Sequence, residues 1–171
     1  MHKVMNELIE NFAMLPYRYD DGGRATSGCR KSNKDCIVRA VSIYKGLPYN
    51  NVHAIALEWG IIDGKCYLDI GQANGHYNKR IKKASAVMEK MFANAFGLQW
   101  VKSDPRGKLE RWYRLCVGDL PLNCIARMRR HVVAIRDGVV HDTWDCTNRY
   151  VIEDDWGNMK IKHRAVYGYW V

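Results

Sequence analysis

Cys36 lies in the stretch NKDCIVRAVSIYKG, residues 33 to 46, at the first turn of a predicted amphipathic helix that ends at Gly46. Asp35 stands before it in the capping position. The start of a helix carries partial positive charge, which favours the thiolate form of a cysteine and therefore its use as a nucleophile. Cysteine is also one of the residue types most often buried, so simple packing is the second interpretation of Cys36. Both interpretations are open at this point.

The stretch RRHVVAIRDGVVHDTWD, residues 129 to 145, predicts a β-hairpin that brings a histidine near an aspartate. Asp137-Gly138 between two β-rich runs is typical of a type I′ turn, because this turn needs positive φ at both positions. The turn puts Arg136 opposite Val139. Alternation then places one set of side chains on a single face: His131, Val133, Ile135, Val140, Asp142 and Trp144.

His131 and Asp142 are diagonal neighbours in this register, so the imidazole can reach the carboxylate. His141 and Asp145 fall outside this face. Trp144, opposite His131, is expected to cover the contact between them, and it also suits a core aromatic. Cys36, His131 and Asp142 together would form a thiol nucleophile system, in which the imidazole moves the proton and the carboxylate orients the imidazole. Taken singly, each residue is more often structural.

The remaining pattern predicts an α+β fold with N-terminal helices packed against a C-terminal antiparallel β-sheet. Helical spacing is expected over residues 3–15, 36–45, from Pro48 to Gly60, and 79–96, with a polar, Gly-rich loop over 17–34. On the short helix over 36–45, Arg39, Ser42 and Lys45 are expected to point away from the core. We expect one domain over 1–171, mainly helical over 1–97 and mainly β over 98–171.

A net charge of +9 favours an acidic partner, either a nucleic acid or an acidic protein surface. The excess concentrates in NKRIKK, residues 78 to 83, and ARMRRH, residues 126 to 131. Solvated ends of helices and strands would give the same pattern, so the charge alone does not select a partner.

Composition excludes several other classes of protein. There is no long apolar run that could span a membrane and no secretory signal pattern, so a cytoplasmic location is the default. No metal site is expected, since CxxC and HExxH motifs are absent from the sequence. The six cysteines are expected to be mostly reduced thiols, and the five other than Cys36 to be packing residues.

The chain resembles uncharacterised phage-encoded proteins with a papain-like cysteine peptidase fold. The resemblance rests on DCIVRAVSIYKGLPY (35 to 49), RHVVAIRDGVVHDTWD (130 to 145) and VYGYW (166 to 170), and it spans the chain from about residue 20 to the end. It implies a Cys36 nucleophile, a His131 general base and an Asp142 orienting acid, with no cofactor. One departure is the lack of a Gln between residues 20 and 36, which leaves Asn33 as the oxyanion candidate beside the Cys36 N–H.

The resemblance implies a cysteine hydrolase, most simply a peptidase, that acts on a protein or peptide, including a host protein, through a thioester. Deamidases, transglutaminases and acyltransferases use the same apparatus, so the bond acted on is open. The alternative is a catalytically inert basic phage protein that binds a host protein or nucleic acid. In either case the expected location is the bacterial host cytoplasm, and the oligomeric state is open.

Overall fold

The computed structural model describes residues 13–29, 35–61, 77–103, 113–147, 150–153, 157, 159–162 and 164–171. Within these residues the chain is α+β, as the sequence predicts, with three α-helices, a six-stranded mixed sheet and a separate two-stranded sheet. None of the helices in the described part combines the length and apolar character that a membrane span requires.

The main sheet is built from strands of both halves of the chain. Its members in chain order are β1 (Tyr17–Tyr19), β2 (Trp100–Lys102), β3 (Cys124–Met128), β4 (His131–Arg136), β5 (Val139–Asp142) and β8 (Val166–Trp170). In space they lie in the order β1-β5-β4-β3-β8-β2, and all neighbours are antiparallel except β1 and β5. Strands β6 (Tyr150–Glu153) and β7 (Met159–Lys162) pair with each other in the second sheet.

The helices are α1 (Cys36–Lys45), α2 (Tyr49–Glu58) and α3 (Tyr77–Phe96), close to the predicted spans. Between α1 and α2 the chain turns at Gly46, whose φ of 66° is a conformation that glycine adopts readily. Helix α1 packs against β4. It lies so deep in the core that all but its last two residues are buried, and this is why its N-terminus can form part of an enclosed site.

Each face of the main sheet carries its own apolar core. Residues of the helices pack with Val132 and Ala134 of β4 on one face. Val133 and Ile135 of the same strand pack on the other face, together with Val140 of β5. This alternation is the period of two expected of a strand that is buried on both sides.

The predicted hairpin is confirmed. Asp137 and Gly138 both have positive φ, 51° and 74°, as a type I′ turn requires. Arg136 pairs with Val139, which is the predicted register. The positions of His131 and Asp142 at one end of their strands follow from this register.

The chain before α1 differs from the prediction. Most of the expected helix over 3–15 lies outside the described residues, but Met14 forms a β-bridge with Cys116, and the Leu15 N–H donates to the carbonyl of Leu115. Residues 17–19, predicted as loop, form β1 beside β5. The prediction of a helix was therefore wrong for residues 14 and 15. There, pairing with a distant segment overrides the local helical pattern of apolar residues.

Candidate active site

Cys36 is the first residue of α1 and is only 6% exposed. Asp35 occupies the N-cap position, as predicted, but its side chain makes no capping hydrogen bond to the helix. Its carboxylate instead turns toward Arg24, Arg39 and Tyr49. The first turn of α1 therefore keeps its own N–H groups directed toward the region beyond the helix start.

His131 begins β4 and Asp142 ends β5, so the antiparallel pairing places both residues at the same end of the sheet. Both are buried, and Nε2 of His131 forms a hydrogen bond with Oδ2 of Asp142. The predicted contact between imidazole and carboxylate is therefore present. It directs the ring and leaves Nδ1 for a second partner.

That second partner is Cys36. Burial works to lower the pKa of His131, but hydrogen bonds to Asp142 and to Cys36, together with the charges of both groups, raise the pKa to about 9. The structure thus brings together the three residues proposed from the sequence. An imidazole that holds its proton at neutral pH beside a cysteine favours a thiolate–imidazolium pair.

The alternation of side chains along the strands would by itself place His131 and Asp142 on the opposite face of the sheet from Cys36. By alternation, His131 and Asp142 share the face of Val133 and Val140, away from the helices, whereas Cys36 packs with Val132 and Ala134 on the helical face. They meet because His131 is the first residue of β4 and Asp142 is the last residue of β5, so both lie at the end of the sheet where α1 begins.

Arg39 is a residue of the candidate site that sequence reasoning missed. Predicted to point outward, it is 5% exposed and lies between two buried carboxylates. Its Nε donates to Oδ1 of Asp35 at 3.0 Å, and its Nη1 donates to Oδ1 of Asp142 at 2.8 Å and to Oγ1 of Thr143 at 2.7 Å. Ser42, also predicted to point outward, is buried as well, whereas Lys45 is exposed as expected.

The pairing of Arg39 explains how a guanidinium can lie in the core. Burial alone would lower the pKa of Arg39, but the charges of Asp35 and Asp142 raise it. Burial likewise opposes ionisation of Asp142, but the hydrogen bond and charge of His131 and the charge of Arg39 lower the pKa of this carboxyl. The available signal was the acid–base spacing of Asp35 and Arg39, which are four residues apart on one helix.

Asp35 is held by two further groups. The Tyr49 hydroxyl donates to Oδ2 at 2.7 Å, and Nη1 of Arg24 lies 3.3 Å from Oδ1. Burial and the bond to Asp35 both raise the pKa of Tyr49, so the phenol stays protonated and remains a donor. Asp35 therefore anchors Arg39, and Arg39 in turn orients Asp142.

Trp144 lies beside the imidazole, with its ring centroid 5.2 Å from that of His131 and the planes inclined by 45°. The side chain is 40% exposed, so Trp144 is a partial cover on the solvent side and not a core residue. The guanidinium of Arg164 lies 4.6 Å above the indole.

Cys146 also lies close to the site, which the sequence did not indicate. Ligand atoms of His131, Asp142 and Cys146 all fall within 4.8 Å of one another, a grouping that could hold a metal ion. However, His131 and Asp142 already bind each other, and a metal would have to displace that hydrogen bond. Burial, followed by the charge of Asp142, raises the pKa of the Cys146 thiol, which disfavours the thiolate that metals bind.

Asn33, the predicted oxyanion candidate, lies outside the described residues, as does Cys66. The five described cysteines are reduced thiols, in agreement with the prediction: Cys29, Cys36, Cys116, Cys124 and Cys146. The basic stretch 78 to 83 lies within the first turns of α3, and its side chains are outside the described part.

Comparisons of the chain with protein-family models, with curated proteins and with solved structures found no match.

Proposed function

We propose that the protein is a cysteine hydrolase of papain-like architecture, most simply a peptidase. One observation carries this proposal: a cysteine at a buried helix N-terminus shares a histidine with an aspartate, in the chain order Cys36, His131, Asp142. The helices precede all strands of the mixed main sheet except β1, and the nucleophile is on a helix with its two partners on successive antiparallel strands, which supports the papain-like arrangement. Similarity to phage-encoded proteins of this fold stays a prediction.

The proposed reaction begins with the Cys36 thiolate. Its sulfur attacks an acyl carbon, and the tetrahedral intermediate collapses to a thioester as the leaving amine takes the proton of the His131 imidazolium. The neutral imidazole then removes a proton from water, the hydroxide attacks the thioester, and the Cys36 thiolate leaves as the carboxylic acid forms. Asp142 keeps Nδ1 of His131 directed at the sulfur throughout, and the Cys36 N–H at the helix start is the proposed oxyanion donor.

The direct test is alkylation by iodoacetamide at neutral pH, followed by mass spectrometry of each cysteine. We expect Cys36 to react faster than the other five thiols. His131→Ala should slow this reaction by about tenfold or more, since general base and charge effects are typically of this size or larger. His141→Ala is the matched control, because His141 is also a strand histidine paired with an aspartate, Asp20, at 3.0 Å. Uniform, slow labelling of all cysteines would show that Cys36 only packs.

The reaction class requires a second measurement. The protein is incubated with a mixture of peptides, and the products are identified by mass spectrometry. New amino termini indicate a peptidase, loss of a side-chain amide indicates a deamidase, and crosslinks indicate a transglutaminase. Cys36→Ala should abolish whichever product forms. Thermal unfolding of the same variant shows whether the fold is intact.

The net charge of +9 favours a second candidate function, binding of an acidic macromolecule without catalysis. Binding of this kind should survive Cys36→Ala. If the partner is a nucleic acid, affinity should also fall steeply as salt rises.

A further inference from the structure

A cleft of about 740 Å³ opens beside the imidazole of the candidate site. Three arginines and two aromatic residues line it together with the histidine: Arg129, Arg130, Arg164, Trp144, Tyr167 and His131. Among the described residues, no acidic side chain lines this cleft. The described lining of the cleft is therefore strongly cationic beside His131.

Two of these arginines, Arg129 and Arg130, are neighbours of His131 in the sequence. Arg129 and Arg130 form the turn that joins β3 to β4, directly before His131, and both are exposed. Arg130 has a φ of 57°, a conformation that the tight turn imposes. Because Arg129 and Arg130 directly precede His131, the turn holds both guanidinium groups near the imidazole.

The third arginine is held by an aromatic ring. The guanidinium carbon of Arg164 lies over the Trp144 ring, 4.6 Å from its centroid, and that ring is 5.2 Å from the ring of His131. A guanidinium carries five N–H donors in a planar fork, which suits two-pronged binding of a carboxylate. The contact with Trp144 thus places a carboxylate-binding group at one wall of the cleft.

We infer that this cleft binds acidic side chains of a peptide substrate, next to the acyl group that Cys36 attacks. The inference rests on the proposed function. Arginine is suited to carboxylates, and an array of three raises the local concentration of anions. Of the two anionic polymers that the charge allows, the peptide is favoured, because a thiolate attacks acyl carbons with amine leaving groups, and the backbone of a nucleic acid offers none.

Two alkylating probes of the same chemistry test the inference. Iodoacetate is an anion and iodoacetamide is neutral, and each transfers its CH₂ group to sulfur with loss of iodide. We expect the rate ratio of iodoacetate to iodoacetamide at Cys36 to exceed the same ratio for free cysteine. Arg129→Glu and Arg164→Glu should each lower the ratio by about fourfold, the Coulomb effect of reversing one unit charge at about 10 Å in water.

Lys45→Glu is the matched control, because it reverses one exposed charge at the opposite end of α1 from Cys36. It should leave the ratio unchanged. A ratio that Arg129→Glu and Arg164→Glu also leave unchanged, while iodoacetamide still labels Cys36 selectively, would overturn the inference and retain the hydrolase.

A binding assay gives a readout that does not depend on the thiol. Fluorescence anisotropy should show a labelled hexaglutamate peptide binding to the Cys36→Ala protein, more weakly after Arg129→Glu, and a hexalysine peptide not binding. This result with no selective labelling of Cys36 would remove the hydrolase and keep the cationic cleft as a binding site for acidic peptides. Binding of a single-stranded oligonucleotide in an Arg129-dependent manner, without binding of hexaglutamate, would overturn the inference in favour of nucleic acid.

Discussion

Replacement of Arg39 by Met tests whether one guanidinium organises the candidate site. Met keeps much of the length and volume of the arginine stem but removes every N–H donor. The variant loses the bonds to Asp35 at 3.0 Å, to Asp142 at 2.8 Å and to Thr143 at 2.7 Å. Two buried carboxylates then lack their shared counter-charge.

The expected loss in free energy of unfolding depends on the hydrogen-bond donors that each carboxylate keeps in the variant. Removing one partner of a buried pair costs about 3–5 kcal/mol. Asp35 keeps Tyr49 and Arg24, and Asp142 keeps His131 and the backbone N–H of Thr143 at 2.7 Å. Because both acids keep other donors, we expect the lower end of this range, about 3 kcal/mol less free energy of unfolding at pH 7.

The pH dependence of this loss has a definite sign. The folded-state pKa of Asp142 is lowered, so its ion pairs stabilise the fold above about pH 3.8 and are lost as pH falls through the folded value. The difference between wild type and Arg39→Met should therefore be full at neutral pH and should shrink below about pH 4.

Urea unfolding followed by tryptophan fluorescence provides the assay, with Arg136→Met as the control. Arg136 is exposed and makes one bond, at 3.3 Å, to the carbonyl of Ile43. This control should cost under about 1 kcal/mol. If Arg39→Met cost no more than Arg136→Met, Arg39 would not be the counter-charge of the two acids. As a positioning residue, Arg39 should also alter the pH profile of Cys36 labelling, and Arg39→Lys should recover only part of it.

The other predictions concern the imidazole and the sheet. In an NMR titration His131 should show a pKa of about 9, and Asp142→Asn should bring it well below that value; titration of His131 near 6.5 in the wild type would contradict the proposed contacts. Because the folded pKa is raised, the stabilisation by this pair is complete below about pH 6.5 and is lost as pH rises through about 9, so Asp142→Asn should cost more stability at pH 6 than at pH 10. Gly168→Ala should destabilise by roughly 1–3 kcal/mol or more, since its Cβ would overlap the Trp100 ring and lie 2.5 Å from the Val101 carbonyl oxygen. Gly118→Ala, with no atom within 4 Å of the added carbon, is the matched control for positive φ alone and should be the milder change in thermal unfolding.

Local rules account for what could be predicted of the site. Turn chemistry at Asp137-Gly138 and strand alternation determine the register that aligns His131 with Asp142, and helical periodicity determines where α1 begins. These features depend on residues close together in the chain. The sequence therefore determined the three candidate residues and the α+β class.

Long-range contacts decided the rest. Arg39 is polar, and a helical pattern assigns polar residues to solvent. Its burial becomes favourable because Asp142, from a strand far along the chain, joins the neighbouring Asp35 as a second partner. The parallel pairing of Tyr17–Tyr19 with β5 and the approach of Cys146 to His131 likewise depend on segments that meet only when the sheet is complete. Tertiary structure chose these partners because the free energy of burying a charge, or of pairing a strand, is set by what lies across the fold and not by neighbours in sequence.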